Sequence, residues 1–454
     1  MTIFVMIFAS VNPESMSRPH AIPLFLLLLL PLAALAQPGD DAAADSIVRG
    51  DPRLFDSLPS PGALPAYAPE APDLWPAVLP AIRGRQGSLL GLEDAPPMLI
   101  GYNRADGPFI GLGADIPARI LPDAMTYGYL GGGYGFGSHY WQVYGGIEHD
   151  LLSGPTPLRI GAEGHIVTDT RDAWKMGRNE NTLFALLAGI DARDYFQRGG
   201  FSLSVRQFIT PRLWLQGELR LDEYRNARRE AGWSLFGPHH PFTEIRPIRE
   251  GPMRSLIGSV CFDGITLRGW GDPQLGAEAR VEFGTTREHG QGAEADPHRD
   301  GRFVNYIIDA RIRSEVIGGL LWIAMRGRIG AATGDAPPQR LFTIGGLGTL
   351  PGYPQNAYEG NRMVLVQTEL LVAPATGVRA LRDLRVIIAN DIGAVATAAP
   401  DASPLSMLPT APRAYLYAPG IFLGSATGAF RIGCAFRTDR SAGPELVVRL
   451  TRPY

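Results

Sequence analysis

His239 and His240 stand side by side with Glu244 four residues on, a set of residue types that can bind a metal ion. Neighbouring side chains seldom converge on one ion without a third fixed ligand, so the pair reads as solvated loop histidines. Asp191, Asp194 and Asp222 could supply carboxylates for acid–base work. No Ser-His-Asp spacing or nucleophile elbow accompanies them, and covalent catalysis needs a nucleophile activated by a nearby base. Cys261 and Cys434 each lie in a strand-like run. A disulfide is open to them in an oxidising compartment, but we read them as two separate buried thiols. The expectation is therefore no enzyme, no cofactor and no metal.

The elements that must position any site are segments of period two, whose polar face is dense in arginine and carboxylates. In 212–222, Leu213, Leu215, Gly217, Leu219 and Leu221 alternate with Arg212, Trp214, Gln216, Glu218, Arg220 and Asp222. In 304–313, Val304, Tyr306, Ile308, Ala310 and Ile312 alternate with Asn305, Ile307, Asp309, Arg311 and Arg313. In 321–329, Leu321, Ile323, Met325 and Ile329 alternate with Trp322, Ala324, Arg326 and Arg328. Successive strand side chains point to opposite faces, so each segment has one greasy and one polar face. Reading on in this way gives about sixteen strands from Met98 to the end.

A soluble sandwich would alternate too, but connection lengths favour a barrel. Long connections at 170–198, 226–251, 287–301, 332–362 and 396–412 mostly alternate with short ones such as 209–211, 316–318 and 424–427. Outer-membrane barrels have long external loops, short periplasmic turns and an even strand count. The predicted fold is all-β: a transmembrane antiparallel β-barrel of about sixteen strands in contact with outer-membrane lipids. Within one external loop, 181–195 carries Leu183, Leu186, Leu187 and Ile190 at helical spacing, predicting a short amphipathic helix. It would cap the barrel mouth, rest on the membrane surface or pack within its loop.

The remainder of the chain agrees with export. Residues 1–36 read as a signal peptide, with Leu26–Leu30 central to its apolar run, Ala34-Leu35-Ala36 as cleavage site and Met16 as an alternative start. Residues 37–97 are rich in Pro, Ala, Asp and Gly and read as a mostly unstructured periplasmic linker; 98–454 is the barrel. A net charge of −3 gives no nucleic-acid footprint. Lys175 is the only lysine among 42 basic residues, which we read as compositional bias. The chain ends on Tyr454 after Leu446, Val448 and Leu450, similar to the C-terminal signal by which barrels are recognised for insertion.

Three elements carry a family resemblance. The first is the loop Gly345-Gly346-Leu347-Gly348-Thr349-Leu350-Pro351-Gly352-Tyr353, followed by the strand Val364–Val372 with Glu369 on its polar side. The second is Asn390-Asp391-Ile392-Gly393, where alternation places Asp391 with Arg385, opposite Leu384, Val386 and Ile388. The third is Tyr102-Asn103-Arg104-Ala105-Asp106-Gly107. Together they resemble the BamA/TamA family of outer-membrane assembly barrels, in its bacterial surface-antigen branch. The resemblance implies that the loop folds into the lumen and that its arginine reaches lumen carboxylates, here Glu369 and Asp391. Pro351 stands where that arginine is expected, so another cation is required, and Arg326, Arg328 and Arg340 are the candidates.

The family's work is insertion or translocation of proteins at the bacterial outer membrane, without a cofactor, and it implies a lateral seam between first and last strands. Expected partners are unfolded outer-membrane clients or a separate periplasmic protein, because 37–97 is too short for the family's periplasmic domains. The alternative is a passive pore or a lipid or solute conduit with an arginine-lined lumen.

Overall fold

The structure is a computed structural model that describes residues 98–450 except 122–123, 153, 155, 238–241, 264–273, 288–299, 375–382, 404–414 and 427–429. The signal peptide, the linker, His239-His240 and Tyr454 lie outside the described residues.

The chain first forms β1 (Met98–Asn103), β2 (Gly107–Leu121), β3 (Ala124–Gly135), β4 (Tyr140–Leu152) and β5 (Leu158–Thr170). A helix, α1 (Arg178–Ala188), precedes β6 (Tyr195–Thr210) and β7 (Leu213–Asn226). Next come β8 (Gly251–Asp263), β9 (Gln274–Arg287), β10 (Asp300–Ile317) and β11 (Leu321–Gly334). A small hairpin, β12 (Phe342–Ile344) with β13 (Tyr358–Gly360), lies in the following loop. The chain continues with β14 (Arg362–Val372), β15 (Leu384–Ala396), β16 (Leu416–Ser425), β17 (Arg431–Ala435) and β18 (Glu445–Arg449).

All strands but β12 and β13 form one sixteen-stranded sheet in chain order, and every neighbouring pair is antiparallel. Chain order with alternating direction puts the β5–β6, β7–β8, β11–β14 and β15–β16 connections at one end. Turns 211–212 and 318–320 lie at the other. The predicted rhythm of long and short connections is present.

The two faces differ as the alternation requires. Along β15, Arg385, Ile387, Ala389 and Asp391 are buried, while Ile388 is 50% exposed. The outward face is a broad apolar surface that includes Leu112, Val143, Leu203, Leu256, Phe283, Ile312 and Ile421. Loops fill the inward side. Leu350 packs with Ile307 of β10, Leu365 of β14 and Ala418 of β16. Arg340 donates to Glu282 of β9 and to the Tyr224 hydroxyl of β7. Contents that touch wall strands on all sides require a sheet that curls around them. No helix among the described residues is long and apolar enough to cross a membrane. The strands do the crossing: the molecule is a sixteen-stranded antiparallel transmembrane β-barrel.

Two local expectations need correction. The helix predicted over 181–195 runs instead from Arg178 to Ala188. Gly189, at φ 71°, ends it by sending its N–H to the Ala185 carbonyl, while the Ile190 N–H reaches the Phe184 carbonyl. The two cysteines are free but only half-buried.

Candidate functional site

The Gly-rich loop lies inside the barrel, as expected, and the backbone explains its composition. Gly345, Gly346, Gly348 and Gly352 all have positive φ, which favours glycine. Gly348 has a second reason: a Cβ there would lie 2.2 Å from the Lys175 carbonyl oxygen of the neighbouring loop. Leu350 and Ile344 are fully buried. They meet the barrel wall at Gly393, where an added Cβ would stand 3.2 Å from both side chains. Gly393 is thus the recess that receives the loop. Tyr353, also buried, donates its hydroxyl to the Tyr417 carbonyl at 3.0 Å, under the Arg437 guanidinium.

A second loop, 171–194, interlocks with the first through Lys175. Its ammonium, 1% exposed, donates to Thr343 Oγ1 at 2.6 Å and Asn356 Oδ1 at 2.8 Å, and pairs with Asp172 at 2.7 Å. The Asn356 side-chain amide donates onward to Asp194 at 3.0 Å. Lys175 was assigned no role from the sequence, and its place at the centre of the plug was thereby missed. Burial works to raise Asp172, but the Lys175 charge and hydrogen bond hold it below the usual carboxylate range. Burial pulls Lys175 itself down against the opposing pull of Asp172. Asp194 is held up by burial and by the Asp172 charge. At the edge of the plug, burial and the Arg340 guanidinium bring Arg171 down to about 9.

Glu369 and Asp391 do face the lumen, but none of the three candidate cations serves them. Arg326 and Arg328 both donate to Asp309, each at 2.6 Å, and stack on Trp174. The reason lies in the register. Arg328 is directly opposite Asp309 across β10–β11, whereas Glu369 is opposite Ala324. Arg340 is taken by Glu282. Glu369 instead pairs with Arg431 of β17, whose guanidinium passes 6.0 Å from the Phe422 ring centre. Asp391 accepts a long hydrogen bond from Gln367 Nε2 at 3.4 Å. A cavity of about 30 Å³ remains between Pro351 and these carboxylates, lined also by Arg431 and Gln367.

The third sequence element, 102–107, is the β1–β2 hairpin. Asn103 Oδ1 accepts the N–H groups of Ala105 and Asp106, both at 2.8 Å. Arg104 carries the hairpin onto the plug: its guanidinium pairs with Asp194 and its N–H donates to Asp191 at 2.8 Å. Among the described residues, Asp222 shares no partner with Asp191 or Asp194. It belongs to the wall, with Arg198 at 2.9 Å and His165 at 3.2 Å. His165, between Asp222 and Glu163, was missed in the sequence, although Glu163, His165 and Asp169 share one parity of their strand. Among the described residues no serine, threonine or cysteine bonds to His165. Glu244 pairs with Arg229 at 2.8 Å.

The sheet ends meet at this plug rather than each other. Among the described residues no ladder joins β1 to β18. Solved structures with a similar chain course include CdiB from Acinetobacter baumannii, at 14% identity and TM-score 0.41, over 77% of this chain and 56% of that one. CdiB from Escherichia coli gives 12% and 0.39, over 77% and 60%. BamA from Haemophilus ducreyi lacking POTRA domains 1–3 gives 13% and 0.45, over 77% and 67%. The chain thus spans 56% and 60% of the two CdiB structures. No protein-family model and no curated protein sequence matches it. At such identities and TM-scores the likeness assigns neither family nor activity.

Proposed function

We propose that this protein is a bacterial outer-membrane barrel that assists insertion or translocation of other proteins, acting without a cofactor and without catalysing covalent chemistry. One observation carries the reading: among the described residues no ladder joins the first strand to the last, while a docked loop plugs the lumen beside them. Strand edges that no ladder holds can, once exposed, offer N–H and C=O groups to an incoming extended segment. The Gly-rich loop and the recess at Gly393, which resemble the assembly-barrel motifs, support the same reading. Clients would be unfolded outer-membrane proteins, delivered by a separate periplasmic protein.

Depletion in the native host tests it. Falling levels of other outer-membrane barrel proteins are the expected result. Unchanged levels, with altered permeability to small solutes or lipids, would replace this reading by that of a passive conduit.

A further inference from the structure

Helix α1 stands between the two ends of the sheet, and its contacts divide by flank. On one flank Glu180, 1% exposed, accepts from Arg449 Nε at 2.9 Å, from Arg449 Nη2 at 3.2 Å and from the Leu450 N–H at 2.7 Å. One turn on, Phe184 packs on the cluster that holds Ala435 and Val447 of β17 and β18. On the other flank Thr182 Oγ1 accepts the Tyr102 N–H of β1 at 3.3 Å, and Leu186 packs with Tyr102. Successive residues advance about 100° around a helix, so 180 and 184 share one side and 182 and 186 nearly the opposite one. Between these flanks run Leu183 and Leu187, exposed by 40% and 38%, and Ile190, 43% exposed, follows just past the helix end. Behind them, on the inward side, Ala185 is fully buried.

An apolar stripe framed by the first and last strands continues the outer surface of both. Ile100 of β1 is 53% exposed and Leu446 of β18 is 68% exposed. Just past the last strand, the Leu450 N–H also donates to Glu180.

From this geometry we propose that α1 is part of the barrel wall. It fills the β1–β18 seam, turns Leu183 and Leu187 toward lipid acyl chains, and is latched to the last strand by Glu180. An inserted helix satisfies its own backbone in hydrocarbon, which a bare strand edge does not. Release of the latch frees the edge of β18. That clients cause this release rests on the insertion reading; the position of the helix does not.

Nitroxide labels at single cysteines test the position without any client. In a Cys261→Ser, Cys434→Ser background, Leu183→Cys and Leu187→Cys would be labelled and the barrel reconstituted in phosphatidylcholine vesicles. Leu446→Cys serves as lipid control and Asn356→Cys as lumen control. Relaxation by dissolved oxygen that exceeds relaxation by a water-soluble nickel chelate, matching the Leu446 site, is expected at both positions. Nickel-dominated relaxation at both would place the stripe in water and overturn the proposal. The latch is read from Glu180→Gln with the label at Leu187. A several-fold gain in label mobility is expected, and unchanged mobility in the folded barrel would remove Glu180 from that role. Should that variant not fold, the two labelled sites in the background with Glu180 intact still decide where the helix lies.

Discussion

Lys175 Nζ lies 2.8 Å from Asn356 Oδ1, across 181 residues of chain, and so joins the two loops that fill the barrel. Asn356 holds a φ of 50°, a left-handed conformation that asparagine tolerates better than most residues. The contact is the point at which the plug becomes one unit.

Lys175→Met keeps the length of the side chain but leaves Asp172 buried without its ion pair. Breaking a buried pair from one side costs about 3–5 kcal/mol. A clear drop in the thermal unfolding midpoint of the folded barrel is expected, with faster protease cleavage in 343–357. An unchanged midpoint and cleavage pattern would mean that the loops dock independently.

Asp172 sets a pH dependence. Its folded-state value is depressed, so its contribution is complete above the ordinary aspartate value of about 3.9 and is lost as pH falls through the lower folded value. Asp172→Asn should therefore lower the midpoint at pH 7, and the gap from wild type should close below about pH 4. Midpoints measured from pH 7 to pH 3 check this; a gap that widens in acid contradicts it.

Arg431 takes the role expected of a loop arginine. Arg431→Met should cost about 3–5 kcal/mol by leaving Glu369 buried and unpaired. Pro351→Arg, beside the cavity of about 30 Å³, should restore part of the loss in the double variant. Strictly additive effects in that cycle would show that position 351 does not reach the carboxylates. Asp391→Ala, in the same cluster, is expected to lower the midpoint less, because the hydrogen bond it accepts from Gln367 is long.

Two glycines should differ in tolerance. Gly348→Ala meets a backbone oxygen at 2.2 Å in a left-handed conformation, so the plug must undock locally. Gly393→Ala meets only the ends of Ile344 and Leu350 at 3.2 Å, which can shift for about 1 kcal/mol. Planar-bilayer conductance should rise for the first and stay near wild type for the second. The reverse order would argue that Gly393, not Gly348, controls docking.

The wall was legible in the sequence because strand alternation is a local property. The inward placement of Arg326, Arg328, Glu369 and Asp391 follows from residue parity alone, and so do the sixteen strands. Partner choice was not legible. Arg431 and Glu369 are 62 residues apart and on non-adjacent strands, so nothing in spacing or parity pairs them. Lys175 showed no role in the sequence because two of its three partners, Thr343 and Asn356, lie 168 and 181 residues away in another loop. The helix was seen in outline, but its N-terminal turn carries the polar residues that hold it to the wall, and these break an apolar pattern.

By itself the sequence determined an antiparallel membrane barrel, while the inward turn of the glycine-rich loop was implied by its resemblance to a known family. Side-chain period and loop length are read one residue after another, and the membrane accepts few other solutions. Only the tertiary structure decided which charges meet, that two loops lock through one lysine, and that a helix rather than a ladder stands between the first strand and the last. Those outcomes depend on strand register and barrel curvature, which bring together residues that the linear chain keeps from 62 to 270 positions apart.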